Sequence, residues 1–271
     1  MAMRSSCSAA NLLAAIAVAV ALAALAGPVA HAADYIAIPP GQIASVLASD
    51  AYPSPSKLAS FAMRVTPVSN GEFLAFVQRS PQWQRGRASS VLADRSYLQH
   101  WRAPLQLGNV SLPEQPLTSV SWFAAQAFCE SEGARLPTWL EWEYVAAADA
   151  TRRDARSSAE WRAQILAWYA LPSTTPLAGV GGNANVYGVR DLHGLIWEWV
   201  DDFNSLLVSA DSRNQGDPDK LQFCGAGAIS LKDRDNYAVL MRIALLSSLS
   251  AADTTRNLGF RCVRPDSGET K

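Results

Sequence analysis

Thiols, imidazoles and one short run of mixed polar residues are the parts of this 271-residue sequence that could do chemistry. Cys224 stands directly before the turn Gly225-Ala226-Gly227. Asp233, Arg234, Asp235 and Tyr237 follow it, and Arg242 comes next with Met241 at its side. A thiolate is a nucleophile and a ligand for soft metals. Cu(I) wants thiolate or thioether ligands, yet from Ala228 to Arg242 there is no cysteine, and Ser230, Asp233 and Tyr237 are not soft donors. Cys224 serves equally well as a small buried apolar residue. After His31 the only imidazoles are His100 and His193, too few for a histidine-rich iron or zinc cluster. His100, alone in a tryptophan-rich stretch, reads as packing, and His193 as a solvent-facing loop residue. The sequence holds no GxSxG, P-loop or HExxH pattern.

The segment before Asp34 is not expected to belong to the fold. Arg4 is its one charge, Leu12 to Ala26 is an unbroken apolar run, and Gly27-Pro28 ends that run. Ala30-His31-Ala32 then supplies the small-x-small pattern of a signal-peptidase site. Residues 1–32 therefore read as a secretory signal, too short for the roughly 20 apolar residues of a membrane span. The mature chain is expected to be periplasmic or secreted, off the membrane once cleaved, and monomeric. With Arg4 removed, the 23 basic residues fall by one against 24 acidic, a net charge near −2 with no basic block. Nucleic acid is not an expected partner. Export permits disulfides, and Cys129, Cys224 and Cys262 allow one bridge with one thiol over.

The elements that must position these residues are few. Residues 33–59 read as a short strand and a Pro- and Ser-rich loop, 60–265 as one domain, and 266–271 as a tail. Ser69 and Glu72 stand at capping-box spacing before Phe73, Phe76 and Val77, which predicts a helix over 70–79. Ser121 caps a second helix over 122–132, stopped by Gly133. Thr138 and Glu141 open a third, with Trp139, Trp142 and Val145 or Ala146 on one face. Residues 82–113 show no period, and from Gly179 onward Gly, Asn and Asp dominate around Trp197-Glu198-Trp199. Residues 223–229 and 258–263 read as short core strands. Loops of such length need partners for their buried backbone groups, and bound calcium or a disulfide are the usual devices.

Four stretches, in order, resemble the formylglycine-generating (sulfatase-modifying factor) family. They are Val65 to Phe73 with Phe76-Val77; Pro116 to Trp122 with Arg135-Leu136-Pro137-Thr138 and Glu141-Trp142-Glu143-Tyr144; Asn185 to Trp199; and Asn257-Leu258-Gly259-Phe260-Arg261-Cys262. The resemblance spans about residues 60–263. It implies an α+β fold, irregular and low in regular secondary structure, with a distant likeness to C-type lectin domains. It implies a Cys129–Cys262 disulfide. It also implies a structural calcium site at Asp191, Gly194, Ile196 and Glu198, whose side-chain and backbone oxygens are the hard donors calcium takes. Leu195 stands where the family carries an asparagine.

One departure decides the functional expectation. Oxidising members hold copper through two cysteines shortly after a glycine turn and use dioxygen to make formylglycine, and this sequence lacks that pair. Copper and formylglycine synthesis are therefore not expected. The sequence is more similar to the exported, cysteine-poor branch, which includes a pyoverdine-maturation protein and members encoded with copper nitrite reductase. That likeness implies a non-copper oxidoreductase or maturation factor for a periplasmic protein or peptide client, with Cys224, Tyr237, Arg242 and Trp197 as its active residues. The alternative is a non-catalytic binding or assembly module for a periplasmic redox metalloprotein such as copper nitrite reductase. Leu246 stands where an arginine is expected, and a cleft filled by Leu231, Leu240 and Leu246 would favour that alternative.

Overall fold

The computed structural model describes residues 34–45, 54–172, 174–206 and 237–266. The expected signal, Cys224, the turn at 225–227, Leu231, and Asp233 to Asp235 all lie outside them. No described helix is long and apolar enough to cross a membrane.

A three-stranded antiparallel sheet joins distant parts of the chain. Strand β4 (Phe61–Arg64) lies between β1 (Tyr35–Ile38) and β7 (Val263–Pro265), with Tyr35 opposite Arg64 and Met63 opposite Val263. Of the expected entry segment, Tyr35–Ile38 thus joins the domain's sheet. Strands β2 (Gly41–Ile43) and β3 (Ser56–Leu58) pair antiparallel, and β5 (Trp197–Glu198) pairs parallel with β6 (Leu258–Gly259). Of the strand expected over 258–263, only its ends form strands. Between them Phe260, Arg261 and Cys262 turn fully buried side chains into the core.

The capped helices form where their signals stand. Helix α1 (Asn70–Arg79) and helix α3 (Trp139–Ala146) each close a capping box, Ser69 with Glu72 and Thr138 with Glu141, satisfying otherwise orphan backbone N–H groups at the first turn. Helix α2 (Trp122–Ser131) is capped by Ser121. Two further helices were not expected from the sequence: α4 (Ala159–Tyr169), whose N-cap Ser158 accepts from Trp161 N, and α5 (Tyr237–Ser247).

The core is aromatic. Phe73 packs on Phe128 at 5.8 Å between ring centroids, and Phe260 meets both edge-on. Side-chain polar edges hold the loops. Asn70 accepts from Trp101 Nε1 at 3.1 Å and donates to the carbonyls of Leu112, Gln115 and Pro116, which fixes the long irregular stretch after α1. Trp199 Nε1 donates to Val120 O at 2.9 Å and Trp122 Nε1 to Val200 O at 3.0 Å, so two rings of this type bury their bodies and still satisfy their N–H. At β6 the backbones come so close that a Cβ on Gly259 would lie 2.2 Å from Leu117 O, so no other residue fits there. Cys129 of α2 and Cys262 beside β7 are bonded, their Cα atoms 5.5 Å apart across 133 residues of sequence.

Candidate functional site

Two buried ion pairs organise the Trp197 region. Arg261 donates from Nε and Nη2 to the Glu198 carboxylate at 2.7 and 2.8 Å. Its remaining N–H groups reach the carbonyls of Arg64, Val65 and Arg190, and Trp142 Nε1 adds a third donor to Glu198 at 2.8 Å. Both charged side chains are fully buried. Further along, Arg242 of α5 grips Glu143 of α3 through Nε and Nη2, both at 2.6 Å, and its Nη1 donates to the Tyr169 hydroxyl. The guanidinium also lies 5.0 Å from the Trp142 ring centre. Burial opposes its charge, but Glu143, foremost, outweighs burial and holds the group above its usual value. Burial raises the Tyr169 phenol.

Above this floor, α4 and β5 bring three rings together. Trp197 lies 4.6 Å from Tyr169 and 5.3 Å from Trp168, and Trp168 lies 5.0 Å from Tyr169, centre to centre. They face a cleft of about 200 Å³ whose other walls include Pro172, Pro176, Leu177, Gly194 and Asn257. Leu246 is buried beside Arg242 and Trp197 under the cleft floor, and Leu240 packs against the core. The arrangement offers flat apolar faces, two prolines and one amide: a surface for an extended chain rather than for a small ion.

The nominated residues fare differently. Arg242 and Trp197 meet at this site. Tyr237, at the start of α5, is 46% exposed, whereas Arg242 is 5% exposed, so the structure does not bring those two side chains together. Arg242 is spent on Glu143 and Tyr169. Asp191, at a φ of +61°, takes two backbone N–H groups, Gly181 at 2.6 Å and Gly182 at 2.9 Å. A Cβ on Gly182 would lie 2.5 Å from Asp191 Oδ1, so any side chain there would displace the carboxylate from its backbone donors. Gly194 is exposed at a φ of +94°, and Ile196 is buried. Both acids of the expected calcium set thus already hold protein donors. Among the described residues no group of three or more His, Cys, Asp or Glu side chains could hold a metal ion.

His193 corrects the sequence reading. It does not face solvent: its Nε2 hydrogen-bonds Ala146 O at 2.8 Å, and its ring stands edge-on to Trp142 and Trp161. Burial, then the charge of Arg242, pushes it down to about 3, so it stays neutral. The loop folds back on α3 because Asn185 ties it there, donating to Val145 O at 2.9 Å. Glu143 and Tyr169 were missed as site residues. A signal existed for Glu143, an acid set among Trp139, Trp142 and Val145 on a buried helix. None existed for Tyr169.

The sequence profile of the sulfatase-modifying factor enzyme 1-like domain matches residues 23–266. The chain belongs to this family. A formylglycine-generating enzyme of Streptomyces coelicolor is 31% identical over 188 residues, covering 60% of this chain and 57% of that protein. The formylglycine-generating enzyme of Bos taurus is 29% identical, covering 60% and 48%. A hercynine oxygenase of Mycolicibacterium thermoresistibile is 29% identical, covering 52% of this chain and 35% of that protein. The chain thus spans from about a third to somewhat over half the length of these relatives. Among solved structures, PvdO from Pseudomonas aeruginosa is similar over 86% of this chain and 94% of its own, at a TM-score of 0.42 and 15% identity. The irregular α+β architecture described above is that of the sulfatase-modifying-factor family.

Proposed function

We propose that this family member is an exported maturation factor that receives a segment of a periplasmic protein or peptide client in the Trp168–Tyr169–Trp197 cleft. The supporting observation is the cleft itself, a rigid aromatic and proline-lined surface with Asn257 at its edge. Rings backed by a buried ion pair cannot fold away, so a client meets a preformed surface. The action on the client proceeds without the family's two-cysteine copper chemistry, because residues 228–242 contain no cysteine. The expected result is no aldehyde on a sulfatase-type cysteine peptide supplied with copper and dioxygen, read by mass spectrometry. Turnover that disappears in Cys224→Ser would overturn this reading.

A second reading, a non-catalytic assembly module for a periplasmic redox metalloprotein such as copper nitrite reductase, is favoured by Arg242 being committed to Glu143. The two separate in the cell. Cys224→Ser abolishes client maturation if the chain is an oxidoreductase using that thiol, and leaves it intact if the chain only binds.

Calcium at Asp191, Gly194, Ile196 and Glu198 is proposed on the family resemblance alone, since both carboxylates have other partners. A bound ion raises stability by about 2.7 kcal/mol at a hundredfold excess over Kd. Melting with calcium and with chelator tests it, and a midpoint indifferent to both removes the site.

A further inference from the structure

A second cleft, of about 800 Å³, lies beyond the first and shares Thr175, Pro176 and Leu177 with it. One wall comes from the irregular segment between Ser96 and Ser119, the other from Thr254, Thr255 and Arg256. We propose that this second cleft binds a carboxylate carried on an extended peptide, with Arg256 holding the charge and His100 in the wall behind it.

Charge sets the sign of the ligand. Among the described residues no Asp or Glu lines the cleft, and Arg256 is exposed and forms no ion pair. The neighbouring acid, Asp94, is already spent: it accepts from Ser96 N at 2.7 Å and from Thr254 N and Oγ1 at 3.1 and 2.5 Å. Burial, then Arg256 and Arg85, pushes His100 down to about 4, so the imidazole is neutral and, among the described residues, Arg256 is the one charge lining the cleft. Both His100 ring nitrogens are buried with no hydrogen-bond partner among the described residues, although buried polar atoms ordinarily have one. The other polar groups of the lining are hydroxyls and amides, among them Thr118, Gln99 and Gln115, beside the apolar Pro176 and Leu177.

The rim and the backbone speak for a chain-like ligand. Val110 and Leu112, 77% and 45% exposed, leave apolar surface uncovered at the edge. Among the described residues, two of the three non-glycine positions with positive φ, Leu98 at +49° and Ser119 at +52°, belong to this segment. Leu98 N donates to Ser119 O at 2.9 Å within the first wall, and Ser119 N donates to Thr255 O at 2.8 Å, joining it to the second. A carboxylate matches a guanidinium fork, and a long cleft lined by both polar and apolar groups suits an extended peptide.

The inference rests on the client reading for the ligand being a peptide, and the test separates the two. Full-length exported protein carrying ¹³C-labelled histidine reports from His100 in the cleft and from His193 outside it. The probes are two capped hexapeptide pools of neutral residues, identical except for one fixed Glu or Gln, and acetate alone. The Glu pool should move the His100 signal and leave His193 in place. Binding should weaken at least fivefold with the Gln pool, and Arg256→Gln should erase the difference. Equal response to both pools, no response, or a preference that survives Arg256→Gln overturns the proposal. Acetate acting as strongly as the Glu pool at equal concentration makes this a small-anion site and overturns the peptide part. If Trp197→Ala leaves both pools' binding untouched while Arg256→Gln erases the preference, the aromatic-cleft reading fails and this one stands.

Discussion

Glu198→Gln is expected to lower the stability of the folded domain by about 3–5 kcal/mol, the range for breaking a buried pair from one side. Both partners of this pair are fully buried. The carboxylate takes three donors, two from Arg261 and one from Trp142. Glutamine offers one oxygen and an NH₂ group, so one Arg261 N–H would face a donor and the guanidinium charge would be left without a counter-ion. For a domain of this size the midpoint should fall by on the order of 10 °C. A control at the surface sharpens the reading: Arg152→Gln breaks the solvent-exposed pair with Asp149 and should leave the midpoint where it was. A change below about 1 kcal/mol for Glu198→Gln would mean the pair is not the anchor argued here.

Removing the Cys129–Cys262 bond is the second large effect. The bond closes a loop of 133 residues. Chain-entropy reasoning gives such a loop a ceiling of about 4–5 kcal/mol, acting through the unfolded state. The double variant Cys129→Ala, Cys262→Ala should therefore lose several kcal/mol in urea unfolding while leaving the native contacts of α2 with the sheet in place. Peptide mapping without reductant gives an independent check, since a bridge that includes Cys224 would overturn the pairing. Non-additivity is expected with Glu198→Gln, because Arg261 and Cys262 are chain neighbours in one core segment.

The sequence was most informative where local chemistry decides structure. Ser69 with Glu72 and Thr138 with Glu141 each carry donor and acceptor within one turn, and both boxes form at the expected residues. Helix α4 escaped the sequence reading because its face is barely apolar, with Ile165 its one fully buried side chain, although Ser158 caps its start. Helix α5 reads as an undifferentiated apolar run, and its single charge looked like chemistry. Arg242 is in fact neutralised by Glu143, a partner 99 residues away that no local pattern reveals. The same holds for His193, whose slot between Trp142 and Trp161 is assembled by tertiary packing. Trp197 was legible as a site residue, but its companions Trp168 and Tyr169 arrive only through α4.

The short closing stretch from Asn257 to Pro265 supplies an edge of the aromatic cleft, the partner of β5, the cation for Glu198, one sulfur of the bridge and the third strand of the sheet. A chain made from its N-terminus onward therefore holds Glu198 without its counter-ion and β4 with a bare edge until the last residues emerge. Such non-local closure makes folding slow and nearly all-or-none. The domain therefore cannot lock until residues 257–265 are available to pair, however much of the chain precedes them.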